Sequence, residues 1–267
     1  MHFKNFFGFK KTPFENELHV NELFKLPSMV MAKERIDYIV GIGGIMVLTG
    51  EVGSGKSTSL RYAISHYNSS QYKIVDAIAH DSQITDFYKQ LCWAIGINVA
   101  GASRAFLIKS FKNAVREIAT AKKQKVLLIV DEANLLRAEI FAELHLLSQF
   151  DNDSKNYIGI VLAGQNSLLD KLSLRTSAAT ASRVIARTHL TAINKDEMHE
   201  YIHHHTSVCG LKKRIFSDQA IMAIQQGSGG ILRKANSLAR GGLVAATGEK
   251  KEEVTAEHIR LAATELL

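Results

Sequence analysis

Eight consecutive residues, Gly50-Glu51-Val52-Gly53-Ser54-Gly55-Lys56-Ser57, fit the phosphate-loop pattern G-x-x-x-x-G-K-[ST] at every position. The pattern limits the fold because it works only between a buried strand and the first turn of a helix. Both flanks comply: Ile45–Leu48 is a compact apolar run of the strand kind, and Thr58–His66 resumes helical spacing. Glycines let successive backbone N–H groups turn inward around an anion, where a Cβ would obstruct the approach. The helix that starts here aims its unpaired N–H groups and positive dipole end at the same anion. Lys56 supplies a flexible point charge for the β and γ phosphates, and Ser57 a hydroxyl ligand for Mg²⁺. Gly50 through Thr58 is therefore the expected cradle of a nucleoside triphosphate with Mg²⁺.

Such a site needs a carboxylate at the end of another buried strand. Val126–Val130 is a continuous β-type run that leads into Asp131-Glu132. Asp131 is expected to hold Mg²⁺ through water, and Glu132 to polarise the attacking water, which makes the reaction a hydrolysis. The plain alternative is an acidic helix start that suits the dipole. A third strand, Ile158–Ala163, runs into Gly164-Gln165-Asn166. A polar side chain there can sense the γ-phosphate. Gln165 is the first candidate and Asn166 the second, against the alternative of a simple turn.

Further elements fill the intervals. Met29–Val40, Ile84–Ile95, Arg104–Ala121 and Ala138–Phe150 have helical spacing, and Lys73–Ile78 reads as a strand. Strands alternating with helices indicate a parallel α/β sheet covered on both faces. Beyond Leu190 the pattern becomes helical throughout: Lys195–Cys209, Ser217–Gln226, Ile231–Thr247 and Thr255–Leu266, with Ser217 and Thr255 as caps. The expected organisation is an aromatic segment over 1–28, an α/β nucleotide-binding domain over 29–193 and a helical lid domain over 194–267.

Composition narrows the class. The 267 residues are 46% hydrophobic and 22% charged, which excludes disorder and low complexity. The longest strongly apolar stretch, Val126–Val130, is far short of a membrane span, and the N-terminus makes a poor signal peptide, so a cytoplasmic chain is expected. Cys92 and Cys209 are too far apart for a CxxC motif and read as buried thiols. Lys and Arg total 33 against 26 Asp and Glu, and the net charge of +7 favours a polyanionic partner.

Taken together, these motifs resemble the AAA+ branch of phosphate-loop ATPases. More narrowly, they resemble the ExeA/GspA-type ATPases and the transposition helper ATPases of the Mu B, TnsC and IstB kind. The resemblance rests on Phe7-Gly8-Phe9 with Thr12-Pro13-Phe14, Leu48–Ser57, Asp131–Leu136, Leu144–Phe150, Val161–Gln165, Ser182–Ile185 and Gly229–Arg233. It implies a nucleotide held between subunits of a homo-oligomeric ring or filament, with a neighbour's arginine completing the site. Arg183 stands at the position resembling that finger, with Arg187 and Arg175 as alternatives; Thr176–Thr180 stretches this region relative to the family. Arg233 resembles the second sensor arginine, which couples lid position to the γ-phosphate. The secretion members carry a transmembrane segment and a peptidoglycan-binding region after the ATPase. Their lack before Leu267 favours the transposition helpers, no membrane association and a transposase partner, with a secretion or pilus ATPase acting on protein as the alternative.

Lys109, Lys112 and Arg116 share one helix face, and Arg104 precedes them. In the helpers this region faces a channel holding double-stranded DNA, so the four residues are the expected sequence-nonspecific DNA contacts. An ordinary solvated face is the alternative. His199-Glu200-Tyr201-Ile202-His203 matches H-E-x-x-H, the zinc-peptidase signature. The third metzincin ligand would fall on Cys209 and the motif's glycine on Thr206, and no glutamate follows before Glu249. His203-His204-His205 is read as the polar side and end of a lid helix.

Overall fold

The computed structural model describes residues 2–15, 18–101, 103–151 and 154–265. Leu266, where the sequence reading ends the last helix, lies outside the described residues, as do the outer limits Met1 and Leu267. The chain divides into two compact units. One comprises residues 27–51 and 56–190; the other comprises 1–26, 52–55 and 191–267.

The first unit is a five-stranded sheet with every pairing parallel, in the order β2-β3-β4-β1-β5. The strands are β1 Gly44–Gly50, β2 Tyr72–Ile78, β3 Lys125–Asp131, β4 Ile158–Gly164 and β5 Val184–Leu190. Side chains alternate faces along a strand, so each central strand feeds two cores. Ile45, Val47, Leu128, Ile160 and Leu162 pack on one face with Phe87, Leu91, Phe111 and Phe141. Those partners come from α4 Ile84–Ile95, α5 Arg104–Thr120 and α6 Ala138–Ser148. Met46, Leu48, Leu127, Ile129 and Val161 pack on the other face with Ile36, Ile39, Leu60 and Ala63. These come from α2 Pro27–Ile42 and α3 Lys56–Ile64. Near-continuous apolar runs are what strands covered on both faces require. Gly159 lets α2 approach: a Cβ there would lie 2.9 Å from the Ile39 carbonyl oxygen.

Four elements between Gly164 and Leu190 go beyond the sequence reading: α7 Ser167–Ser173, the 3₁₀ turn Arg175–Ser177, α8 Ala178–Ala181 and β5 itself. β5 lies at the sheet edge and mixes Arg187, Thr188 and His189 with aliphatics, so it lacks the apolar run that marks the other strands.

In the second unit, short α1 His2–Phe7 lies within the aromatic segment, and four longer helices follow: α9 Lys195–Val208, α10 Asp218–Ser228, α11 Leu232–Gly248 and α12 Ala256–Glu265. Their starts are written locally. Asn194 and Glu197 form a reciprocal capping box on α9, and Ser217 accepts the Ala220 N–H on α10. The start of α12 is closed by His258, whose Nδ1 accepts the Thr255 N–H at 2.9 Å. The aromatic segment belongs to this core, since Phe14 stacks on His205 at 5.2 Å and meets Phe216 edge-on at 5.9 Å. Burial in that stack pushes the His205 imidazole down to about 3.

Candidate nucleotide site

β1 ends at Gly50 and α3 begins at Lys56, so the phosphate loop sits between strand and helix. The Lys56 side chain is only 6% exposed, and its Nζ donates to the carbonyls of Gly50 at 2.9 Å and Glu51 at 3.1 Å. Ser57 Oγ donates to Asp131 Oδ2 at 2.9 Å. The hydroxyl and carboxylate expected to share Mg²⁺ are thus in direct contact, although 74 residues separate them. Asp131 Oδ1 accepts the Glu132 N–H at 2.9 Å. Glu132 follows with φ 53° and ψ 33°, a left-handed backbone that costs a side-chain-bearing residue roughly 1–2 kcal/mol. Asp76 on β2 is a further acid beside this end of β3; burial and then the charge of Asp131 raise its carboxyl above the usual range. Nothing in the sequence pattern singles it out.

β4 ends at Gly164, and the next residue donates its N–H to Asn134 Oδ1 at 2.9 Å. This places Gln165 beside the turn that follows Asp131 and Glu132. Asn166 reaches the phosphate loop itself, its Nδ2 donating to Glu51 Oε1 at 3.3 Å. Both sensor candidates therefore stand at the carboxyl end of the sheet. No sequence pattern singles out Asn134, which fixes the first of them. The sequence shows it as an Asn three residues beyond Asp131.

The remaining loop residues, Val52–Gly55, form one compact unit with the C-terminal helices. Gly53 and Gly55 have φ of 85° and 99°, a conformation open to glycine and strained for other residues. The Arg233 N–H donates to the Gly53 carbonyl at 3.1 Å, and a Cβ on Gly53 would lie 2.6 Å from the Arg233 Cβ. Arg233 is thus set directly against the loop. The Ser54 hydroxyl is buried and has no hydrogen-bond partner among the described residues. The sheltered Lys56 ammonium at the start of α3 suits a phosphate group. Ser57 and Asp131 likewise suit a hard divalent cation such as Mg²⁺.

The other expected residues lie elsewhere. The Ile45 N–H donates to the Arg183 carbonyl at 3.0 Å, so Arg183 stands at the amino end of β1. Lys56 follows the carboxyl end of the same strand, roughly 20 Å away at ~3.3 Å per residue. Arg187 is paired in register with Val47 midway along β5, and Arg175 opens a short 3₁₀ turn. On α5, Arg104 forms an ion pair with Glu143, and Arg116 pairs with Asp151 at 2.7 Å. Lys112 lies over the Phe150 ring at 5.3 Å, and burial holds its ammonium below the usual lysine range. Lys109 is exposed and has no partner among the described residues. His199, Glu200 and His203 lie on α9, and among the described residues no three His, Cys, Asp or Glu side chains group as a metal site. Cys92 and Cys209 are buried free thiols.

Sheet order, phosphate loop and strand-end acids define the AAA+ phosphate-loop NTPase fold. Residues 42–172 match the family model described as an AAA domain. General secretion pathway protein A of Aeromonas hydrophila is 28% identical over 99% of this chain, which spans 48% of that relative's length. The fold is shared with Cdc6p from Pyrobaculum aerophilum, with a TM-score of 0.71 and 18% identity over 95% of this chain and 70% of the other. It is also shared with the Aeropyrum pernix ORC1 protein solved in complex with DNA, with a TM-score of 0.69 and 14% identity over 94% of this chain and 68% of the other. No helix among the described residues is long and apolar enough to cross a membrane.

Proposed function

We propose that the chain is an ATP hydrolase that works as a homo-oligomer and switches a partner's state with its nucleotide. The observation that carries the reading is the Ser57–Asp131 hydrogen bond beside the sheltered Lys56 ammonium. Lys56 and the loop amides of Gly50 through Thr58 bind the phosphates. Ser57 and Asp131 hold Mg²⁺, which when bound neutralises charge on the phosphate oxygens. Glu132 takes a proton from the water that attacks the γ-phosphorus, and the bond to the bridging oxygen breaks to release ADP and phosphate. Gln165 senses the γ-phosphate and Arg233 reports it to the C-terminal helices. Because Arg183 is remote from its own Lys56, it serves the phosphates of a neighbouring copy, where its planar guanidinium suits spreading negative charge.

The collinear likeness to general secretion pathway protein A favours a protein assembly as the object of this switch. A second reading, an oligomer on double-stranded DNA that activates a transposase, is supported by the net charge of +7 and by exposed Lys109, Lys122, Lys123 and Lys125. The DNA complex of the ORC1 neighbour is consistent with it. Phosphate release tests the common core: Glu132→Gln is expected to keep ATP affinity while turnover falls by roughly a hundredfold or more. Unchanged turnover would remove Glu132 from the mechanism. Duplex DNA titrated at rising salt separates the two outputs. Binding with a steep salt slope supports the transposition reading, and no binding at low salt supports the protein-directed one.

A further inference from the structure

Asn134 is 7% exposed and occupies the middle of the short 3₁₀ turn Ala133–Leu135. A buried carboxamide needs a stated partner. Its Oδ1 accepts the Gln165 N–H at 2.9 Å, across 31 residues of sequence. The fit is close, because a Cβ on Gly164 would lie 2.5 Å from that same oxygen and 3.0 Å from the Asn134 nitrogen. Gly164 has no positive φ, so space for Asn134 and not backbone freedom is what glycine provides there.

The contact ties two turns that carry the chemistry. On one side, the left-handed Glu132 is held between its own N–H bond to Asp131 and the turn that contains Asn134. On the other, Gln165 is followed by Asn166, whose amide reaches Glu51 of the phosphate loop. The Glu51 carbonyl accepts from Lys56, and Ser57 returns to Asp131. These hydrogen bonds close a circuit through the ends of three strands, and Asn134 is the side chain that joins β3 to β4 within it. Polar circuits of this kind hold geometry when each member is satisfied.

We propose that Asn134 is a positioning residue for hydrolysis, fixing the sensor turn after β4 against the turn that presents Glu132. The inference rests on the ATPase reading above. Asn134 is buried and its Oδ1 is engaged by the Gln165 backbone N–H, so its loss acts on placement of that turn. Displacements on the order of an ångström cost up to ~100-fold in rate with little change in binding.

The test combines steady-state hydrolysis, affinity for a fluorescent ATP analogue with Mg²⁺, and hydrogen exchange at the Gln165 amide. Asn134→Ala is expected to lower kcat about tenfold to a hundredfold, leave the analogue's Kd within about twofold, and strip protection from the Gln165 amide. Asn134→Asp keeps the acceptor and is expected to restore both kcat and protection. Gly164→Ala, which evicts the carboxamide, is expected to reproduce the Asn134→Ala loss, and the double variant to be no worse than either single one. A wild-type rate in Asn134→Ala, failure of Asn134→Asp to recover, or multiplying losses in the double variant would each overturn the inference while the ATPase reading stood. A wild-type chain without turnover would overturn both.

Discussion

At Glu132 the site stores conformational cost where chemistry is expected. Its φ of 53° is adopted beside an aspartate that needs no such distortion. Strained backbone persists only where its surroundings over-determine it, and here the Asp131 side chain and the following 3₁₀ turn do so. Glu132→Gly is therefore expected to raise stability by about 1 kcal/mol while removing hydrolysis. Urea denaturation beside phosphate release checks both halves, and a destabilised variant would contradict the strain argument. Residue identity was legible for Lys56, Ser57, Asp131 and Glu132, because each sits at a motif position whose chemistry dictates its type. Asn134 and Asp76 were not. Their neighbours depend on which strand lies beside which, and β3 meets β4 and β2 only through the sheet order.

Elements were legible in proportion to their burial. β1, β3 and β4 are covered on both faces, so each announces itself as an apolar run within about two residues of its bounds. β5 failed that test because an edge strand exposes Arg187 and His189. The short helices α7 and α8 are too brief to show a period. Lys109, Lys112 and Arg116 are spaced to share one face of α5. What spacing could not reveal is that Glu143 and Asp151 lie within reach of Arg104 and Arg116. Packing between elements yields its own prediction at Gly159, where α2 crosses β4 with backbone against the glycine. Gly159→Ala has no flexible side chain to displace and must push the helix, so a loss of about 1–3 kcal/mol is expected in urea unfolding. Unchanged stability would mean that α2 has slack against the sheet.

For the whole molecule, the sequence divides naturally into a nucleotide-binding part and a helical part. The finding beyond it is that residues 1–26 and Val52–Gly55 form one compact unit with the C-terminal helices. The aromatic N-terminal segment thereby gains a purpose, with Phe14 filling the core around His205 and Phe216. Arg183 stands at the amino end of β1 and Lys56 beyond its carboxyl end, and the proposed action in trans can be tested on that separation. Arg183→Ala and Lys56→Ala are each expected to lack turnover alone, and their mixture to regain it, since one variant keeps a phosphate loop and the other a finger. An inert mixture would place the completing arginine elsewhere. Beneath all of this lies the claim that the loop at Gly50–Ser57 grips a triphosphate. Titration calorimetry with ATP and Mg²⁺ on the wild-type chain and on Lys56→Ala tests it most directly. The account predicts saturable one-site binding to the wild-type chain and none to the variant. Heat-silent titration of the wild-type chain, or equal affinity in Lys56→Ala, would contradict it.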